Sequence, residues 1–309
     1  MIAVSQLCIM AATVLVVIAL ITQLIGLTRS TAPSVAIEPP VLATVGGSPI
    51  GSARPAAVAM ATTIEADRSG TVGRPRSMRF ETALTWAALV LLTAALLART
   101  VAVGHGPFAN QYEFAVAFSW GMTATALWFA RRHAAPSITL VVLPVVLAML
   151  IYAATVGAEV APLVPALNSH LLLTVHVLTA VLAYGAAAVA GAAGVLYLLP
   201  SHRRPPGLAS SEHLDQLGHR AAVVAFPLLT LMIILGAIWA DRAWGAYWSW
   251  DPKETAAMVT WLVYGSYLHA RLVRDWRGRS AAWLLVVGFG AVLFTYFGNL
   301  FLGGMHAYA

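Results

Sequence analysis

Mostly apolar stretches alternate with polar connections along the whole chain. Eight are long enough, at about 20 residues, to cross roughly 30 Å of hydrocarbon as helices: they lie near residues 6–27, 82–103, 112–130, 138–157, 170–199, 220–240, 254–273 and 280–302. Each is predicted to be helical, because a strand edge facing lipid would leave backbone groups unsatisfied. The fifth is long enough to tilt or to project beyond the bilayer. The first has no basic residue ahead of it and is long for a cleaved leader, so it reads as a retained helix. Residues 28–80 form the one long connection, rich in Pro, Gly, Ser, Thr and Ala with scattered arginines and no helical period. That composition predicts a flexible linker. The expected organisation is an N-terminal transmembrane helix (1–27), a cytoplasmic linker (28–80) and a seven-helix unit (81–309).

Composition removes the soluble alternatives. Of 309 residues, 60% are hydrophobic and 10% charged, against about 25% charged in ordinary soluble domains. One core could not hide that much apolar surface. A cytosolic enzyme, a nucleic-acid-binding domain and a disordered chain are excluded; the fold class is an all-α integral membrane protein. The net charge of +6 then bears on orientation. Fifteen of the 18 basic residues fall on alternate connections: those after stretches one, three, five and seven. The positive-inside rule places these in the cytoplasm and both termini outside the cytoplasmic membrane. Only Arg99, Arg242 and Lys253 fall on the other side. The single cysteine, Cys8, lies in the first apolar run, which excludes an internal disulfide and a CxxC redox pair.

Five of the ten tryptophans lie between Trp239 and Trp261, concentrated in the outer connection between stretches six and seven. It contains Trp244, Tyr247, Trp248, Trp250, Asp251, Pro252, Lys253 and Glu254. An aromatic belt at the membrane interface is one reading, although a belt spreads over all helix ends. The other is a flat aromatic platform for a large planar ligand, with indole N–H groups and Lys253 or Arg242 meeting carboxylates at its rim. Pro252 suits the first turn of the seventh helix, where Asp251 could serve as the cap.

Nine histidines are many for so apolar a chain. His133, His202, His213 and His219 lie in polar inner connections and read as solvated. A histidine in a membrane helix is by default a functional candidate. His176 lies near the outer end of stretch five and His306 follows stretch eight on the same side, so both can flank the tryptophan loop. Imidazoles on opposite faces of a planar macrocycle are one way to hold haem iron. His170, six residues from His176, is turned about 120° away and cannot serve the same ligand; its role stays open. His105, between two glycines, reads as an outer-loop residue without a ligand role. His269 lies fifteen residues beyond Glu254, about 22 Å along a helix, and cannot reach the outer site. It is either an interfacial residue or a second ligand position on the inner side.

The run from Trp244 through Asp251, Pro252, Lys253 and Glu254 to Trp261, Tyr264, Leu268, His269 and Arg271 is similar to the tryptophan-rich WWD signature of the CcsA (ResC) haem-handling proteins. Gly106 to Glu113 with Phe118, Ser119 and Trp120, His176 leading into Tyr184, and Asn299 to Tyr308 also resemble that family, from about residue 80 to the end. The resemblance implies that His176 and His306 are axial ligands of haem b at the outer loop, beside Trp244, Trp248, Trp250, Asp251 and Lys253. It implies that His269 contributes to a haem site within the membrane, opposed by a ligand from a CcsB/ResB-type partner. Haem would be presented to the CxxCH motif of an apocytochrome c. A CcmC-like haem-delivery protein is a shorter relative with the same signature. A histidine-dependent transporter is a rival that leaves the tryptophan cluster unexplained.

Overall fold

The computed structural model describes residues 1–30, 76–160, 170–200 and 208–306, all of whose regular structure is helical. The helices are α1 (Ile2–Ser30), α2 (Arg76–Val103), α3 (Gln111–Arg132), α4 (Thr139–Val156), α5 (His170–Leu198), α6 (Ser211–Trp244), α7 (Pro252–Val273) and α8 (Arg279–Leu302), with a 3-10 turn at Pro136–Ile138. Every predicted apolar stretch is a helix. Among the described residues, six helices are long and apolar enough to cross a membrane: α1, α2, α4, α5, α6 and α8. Helices α3 and α7 lie where predicted but carry too many polar side chains to meet that measure.

Three boundaries differ from the expectation. Helix α6 begins at Ser211, not near 220, because Ser210 caps it by accepting from the His213 amide at 3.2 Å. A cap and good helix formers carry a helix through polar sequence that hydropathy reads as loop. His213 and His219 are therefore helical residues, and both have a ring nitrogen that is buried without a hydrogen-bond partner among the described residues. His133 is not simply solvated either, since Arg220 donates to its Nδ1 at 2.9 Å. Helices α1 and α2 also extend into both ends of the predicted linker. The rest of that linker, 31–75, lies outside the described residues, as does His202.

Helix α5 is the hub, packing against α3, α6 and α8. Its alanine-rich middle, including Ala183, Ala187, Ala190 and Ala192, is fully buried. Small residues allow close approach where lipid supplies no hydrophobic drive between helices: Gly185 meets Thr125 and the Gly121 carbonyl of α3, and Gly194 meets the Ala282 carbonyl of α8. Helices α1 and α2 pair beside this group, tied where Ser5 donates to the Ala95 carbonyl at 2.9 Å. One buried ion pair fixes the start of α3. Arg99 and Glu113, each 2% exposed, meet at 2.8 Å. Arg99 also donates to the Ala158 and Glu159 carbonyls, while Glu113 accepts from the Ala109 amide. These bonds satisfy charges that burial alone would penalise.

Candidate functional site

The connection from α6 to α7 is built on one carboxylate. Asp251 is the N-cap of α7, accepting from the Lys253 amide at 3.1 Å, while Glu254 reaches back to the Asp251 amide at 3.2 Å and the Ser249 amide at 2.9 Å. This reciprocal box is the capping role the sequence suggested for Asp251. Asp251, only 5% exposed, does more. Its Oδ1 accepts from the Met305 amide at 2.6 Å and its Oδ2 from His306 Nδ1 at 2.8 Å. The tail after α8 reaches it through Gly303 and Gly304, both at positive φ. A Cβ on Gly304 would overlap the Asp251 carboxylate. Only glycine permits this approach.

His176 is held differently. Its Nδ1 donates to the Met232 carbonyl of α6 at 3.0 Å, using a second lone pair of a helical carbonyl. The ring lies over Gly236, where a Cβ would come within 2.8 Å of His176 Cε1. Both histidines are thus fixed as the tautomer whose lone pair is on Nε2, the arrangement that a second-shell partner on Nδ1 gives a metal-ligating imidazole. His176 and His306 line one cavity and share an aromatic neighbour. The Trp239 ring is parallel to His176 within 5°, at 6.5 Å, and lies 5.8 Å from His306.

His306 follows the end of α8 and lies outside the apolar span of that helix. Burial, and then the nearby Lys253 ammonium, hold its imidazole well below the ordinary 6.5 despite Asp251. Burial alone would raise the Asp251 carboxyl, but the bonds from His306 and the Lys253 and Met305 amides outweigh it and hold it below 3.8. The imidazole is therefore neutral at neutral pH, with its lone pair available for coordination chemistry.

The cavity encloses about 1200 Å³ out to its open mouth, with Phe114, Phe118, Tyr184, Tyr247, Trp248 and Tyr296 among its walls. Lys253 lines it, its Nζ 5.5 Å from the centre of the Phe114 ring. The cavity lies at the end of the bundle opposite Arg131, Arg132 and Arg271, which stand at the other ends of α3 and α7.

The expected tryptophans separate. Trp248 lines the cavity. Trp244 packs edge-on against His306 at 4.8 Å and against Trp239 at 4.7 Å. Trp250 is 68% exposed and stands perpendicular to Trp248 at 5.7 Å. Its φ of 59°, uncommon for a bulky residue, turns the chain into the cap. The rings meet edge to face, so the loop is a cradle and not the flat platform expected. Arg242 is exposed and does not line the cavity. His105 donates through Nδ1 to the Gly106 carbonyl at 2.8 Å. His269 is exposed on α7 at the arginine-bearing end, apart from the cavity. Sequence reasoning missed Met232, Gly236 and Trp239 as supports of the histidine pair; of these only Trp239 carried a signal, as the first ring of the cluster.

Helix content and apolar length define a multi-pass helical membrane protein, with an aromatic-walled cavity at one end of the bundle. Residues 108–306 match the family described as Cytochrome C assembly protein. The chain is 39% identical to the cytochrome c biogenesis protein CcsA of Synechococcus sp. (strain RCC307), covering 76% of this chain and 87% of that one. It is 34% identical to the CcsA protein of Guillardia theta, covering 72% and 82%. Among solved structures it shares the fold of a cytochrome c haem lyase CcmF, with a TM-score of 0.57 and 21% identity. That match covers 94% of this chain but 46% of the other, so the chain spans about half the length of that protein. The chain belongs to the cytochrome c assembly family, as a CcsA-type protein of cytochrome c biogenesis.

Proposed function

We propose that this protein binds haem b between His176 and His306 on the extracytoplasmic side and presents it to apocytochrome c for covalent attachment. The observation that carries this reading is the pair of imidazoles, fixed through Nδ1 by Met232 and Asp251, on one aromatic cavity. The donor set fits haem: two neutral nitrogens suit the iron, aromatic walls suit the macrocycle, and Lys253 suits a propionate. Haem is here the cargo. In the attachment, a CxxCH thiol adds across a vinyl group; an S–H bond and a C=C π bond are consumed, and C–S and C–H bonds form. The chain's own residues orient haem and exclude water, and the bond chemistry belongs to the haem and the thiols.

His269 serves a second haem position nearer the cytoplasm, opposed by a histidine from a CcsB/ResB-type partner, and haem passes from there to the outer cavity. Its exposure on α7, with no side-chain hydrogen bond among the described residues, suits a ligand shared with another chain. The active unit is this chain with its partner, with both termini of this chain outside.

The test is the absorption spectrum of the detergent-purified protein, co-expressed with a ResB-type partner. Wild type is expected to show a Soret band that shifts or disappears in His176→Ala and in His306→Ala. Wild-type protein without haem, from haem-replete cells, would overturn the reading and favour a transporter.

A further inference from the structure

A second cavity lies towards the arginine-bearing end, between α2, α3 and the start of α4, and encloses about 660 Å³ out to its mouth. Glu81, Trp86, Leu127, Arg131 and Thr139 are among its walls. Glu81 is 7% exposed, and no Lys, Arg or His side chain pairs with it among the described residues. Its Oε1 accepts from Gln23 Nε2 of α1 and from Thr139 Oγ1. These bonds hold the carboxylate in place but bring no positive charge. Burial among lipid-facing helices opposes ionisation of a carboxyl unless a cation sits beside it. Arg131 is exposed at the cavity's edge. Trp86, 39% exposed, and Trp128, 53% exposed, lie on the outer surface of the same two helices, as indoles do at a membrane interface.

The arrangement is an acid inside, a cation at the edge and apolar surface around both. A bare metal cation would leave Arg131 without a counter-charge, and an anionic head group would face Glu81 with like charge. We propose that this cavity binds a phospholipid with a primary-amine, ethanolamine-type head group. The ammonium donates to Glu81, the phosphate meets Arg131, and the acyl chains follow the apolar surface beside Trp86 and Leu127. A quaternary choline head group has no N–H to donate and fits poorly. The inference is independent of haem binding.

Native mass spectrometry of the purified full chain tests it, with phosphatidylethanolamine, its mono- and dimethylated forms, phosphatidylcholine and phosphatidylglycerol of identical acyl chains in competition. Wild type is expected to retain the ethanolamine lipid about tenfold better than the choline lipid, as for a hydrogen bond to a charged group, with graded loss along the methylation series. Glu81→Gln should reduce that preference to within about twofold. Arg131→Ala, at an exposed side chain, should weaken retention about fivefold while leaving the preference. A flat methylation series in wild type would overturn the proposal without reliance on any variant. So would a preference that survives Glu81→Gln. Preferential retention of phosphatidylglycerol would overturn it in favour of an anionic lipid held by Arg131.

Discussion

The histidine pair at the cavity and His269 at the other end of the bundle are held in opposite ways. At the cavity end, His176 and His306 are bonded through Nδ1 to groups of this chain, packed around Trp239 and withdrawn from solvent. At the arginine-bearing end, His269 is exposed, with none of those supports, although the same helix α7 is pinned nearby by Arg271 and Asp215 at 2.5–2.9 Å. Under the proposed function, one end is a ligand pair completed by one chain. The other has His269 on an outer face, and under that function it waits for a second protein. A histidine's role follows from what fixes its Nδ1 as much as from its depth in the membrane.

The sharpest way to break this comparison is at Gly236. Replacing it with Val puts side-chain atoms where the His176 ring lies, 2.8 Å from the position of a Cβ. Haem affinity at the outer site is expected to fall about 10–100-fold, the scale of second-shell loss, with the helices intact by circular dichroism. Unchanged haem titration of Gly236→Val would show that His176 needs no fixed seat.

Asp251→Ala comes next, removing the cap of α7 and the acceptor for His306 together. Lost capping costs about 1 kcal/mol, read as a lowered Tm, and the haem titration should weaken about tenfold or more. Restoring the cap alone with Asp251→Ser should recover the Tm but not the affinity. His269→Ala is expected to lower haem loading of the outer cavity and cytochrome c maturation only when the partner is co-expressed; equal loading with and without the variant would remove the inner position.

The pH response is smaller. Because His306 takes up its proton only well below 6.5 in the fold, the unfolded chain binds more protons as pH falls below that value. The stabilising contribution is full above 6.5 and shrinks as pH drops towards the depressed value. Tm of the haem-free protein should therefore decline below pH 6.5, and His306→Ala should flatten that decline. The smallest effect belongs to Trp250→Ala. This ring is 68% exposed, so it should change haem titration by less than Trp248→Ala, whose ring lines the cavity.

Much of this was legible in the sequence, for reasons particular residues make plain. Apolar runs located every helix because bilayer thickness sets their length. Asp251, Pro252 and Glu254 announced the start of α7 because a capping box is local chemistry. His176 and His306 could be brought to one end of the bundle because one sits near the start of its apolar stretch and the other follows the end of a stretch that runs the opposite way. What stayed hidden is tertiary. Which carbonyl would take the His176 proton depends on how α5 and α6 pack, and neither Met232 nor Gly236 has a signature of its own. The edge-to-face tryptophans depend on rotamers that loop composition does not set. The start of α6 was misplaced because a capped polar helix has no hydropathy signal, and the His133–Arg220 contact joins helices far apart in the chain.

The central claim is that His176 and His306 coordinate one haem iron. Its most direct test is electron paramagnetic resonance of the oxidised, haem-titrated protein in a His269→Ala background, with and without His176→Gly. A low-spin, two-imidazole signal is expected in the background protein, turning high-spin with His176→Gly and returning to low-spin on addition of free imidazole. A two-imidazole signal that persists in His176→Gly without added imidazole would contradict the account.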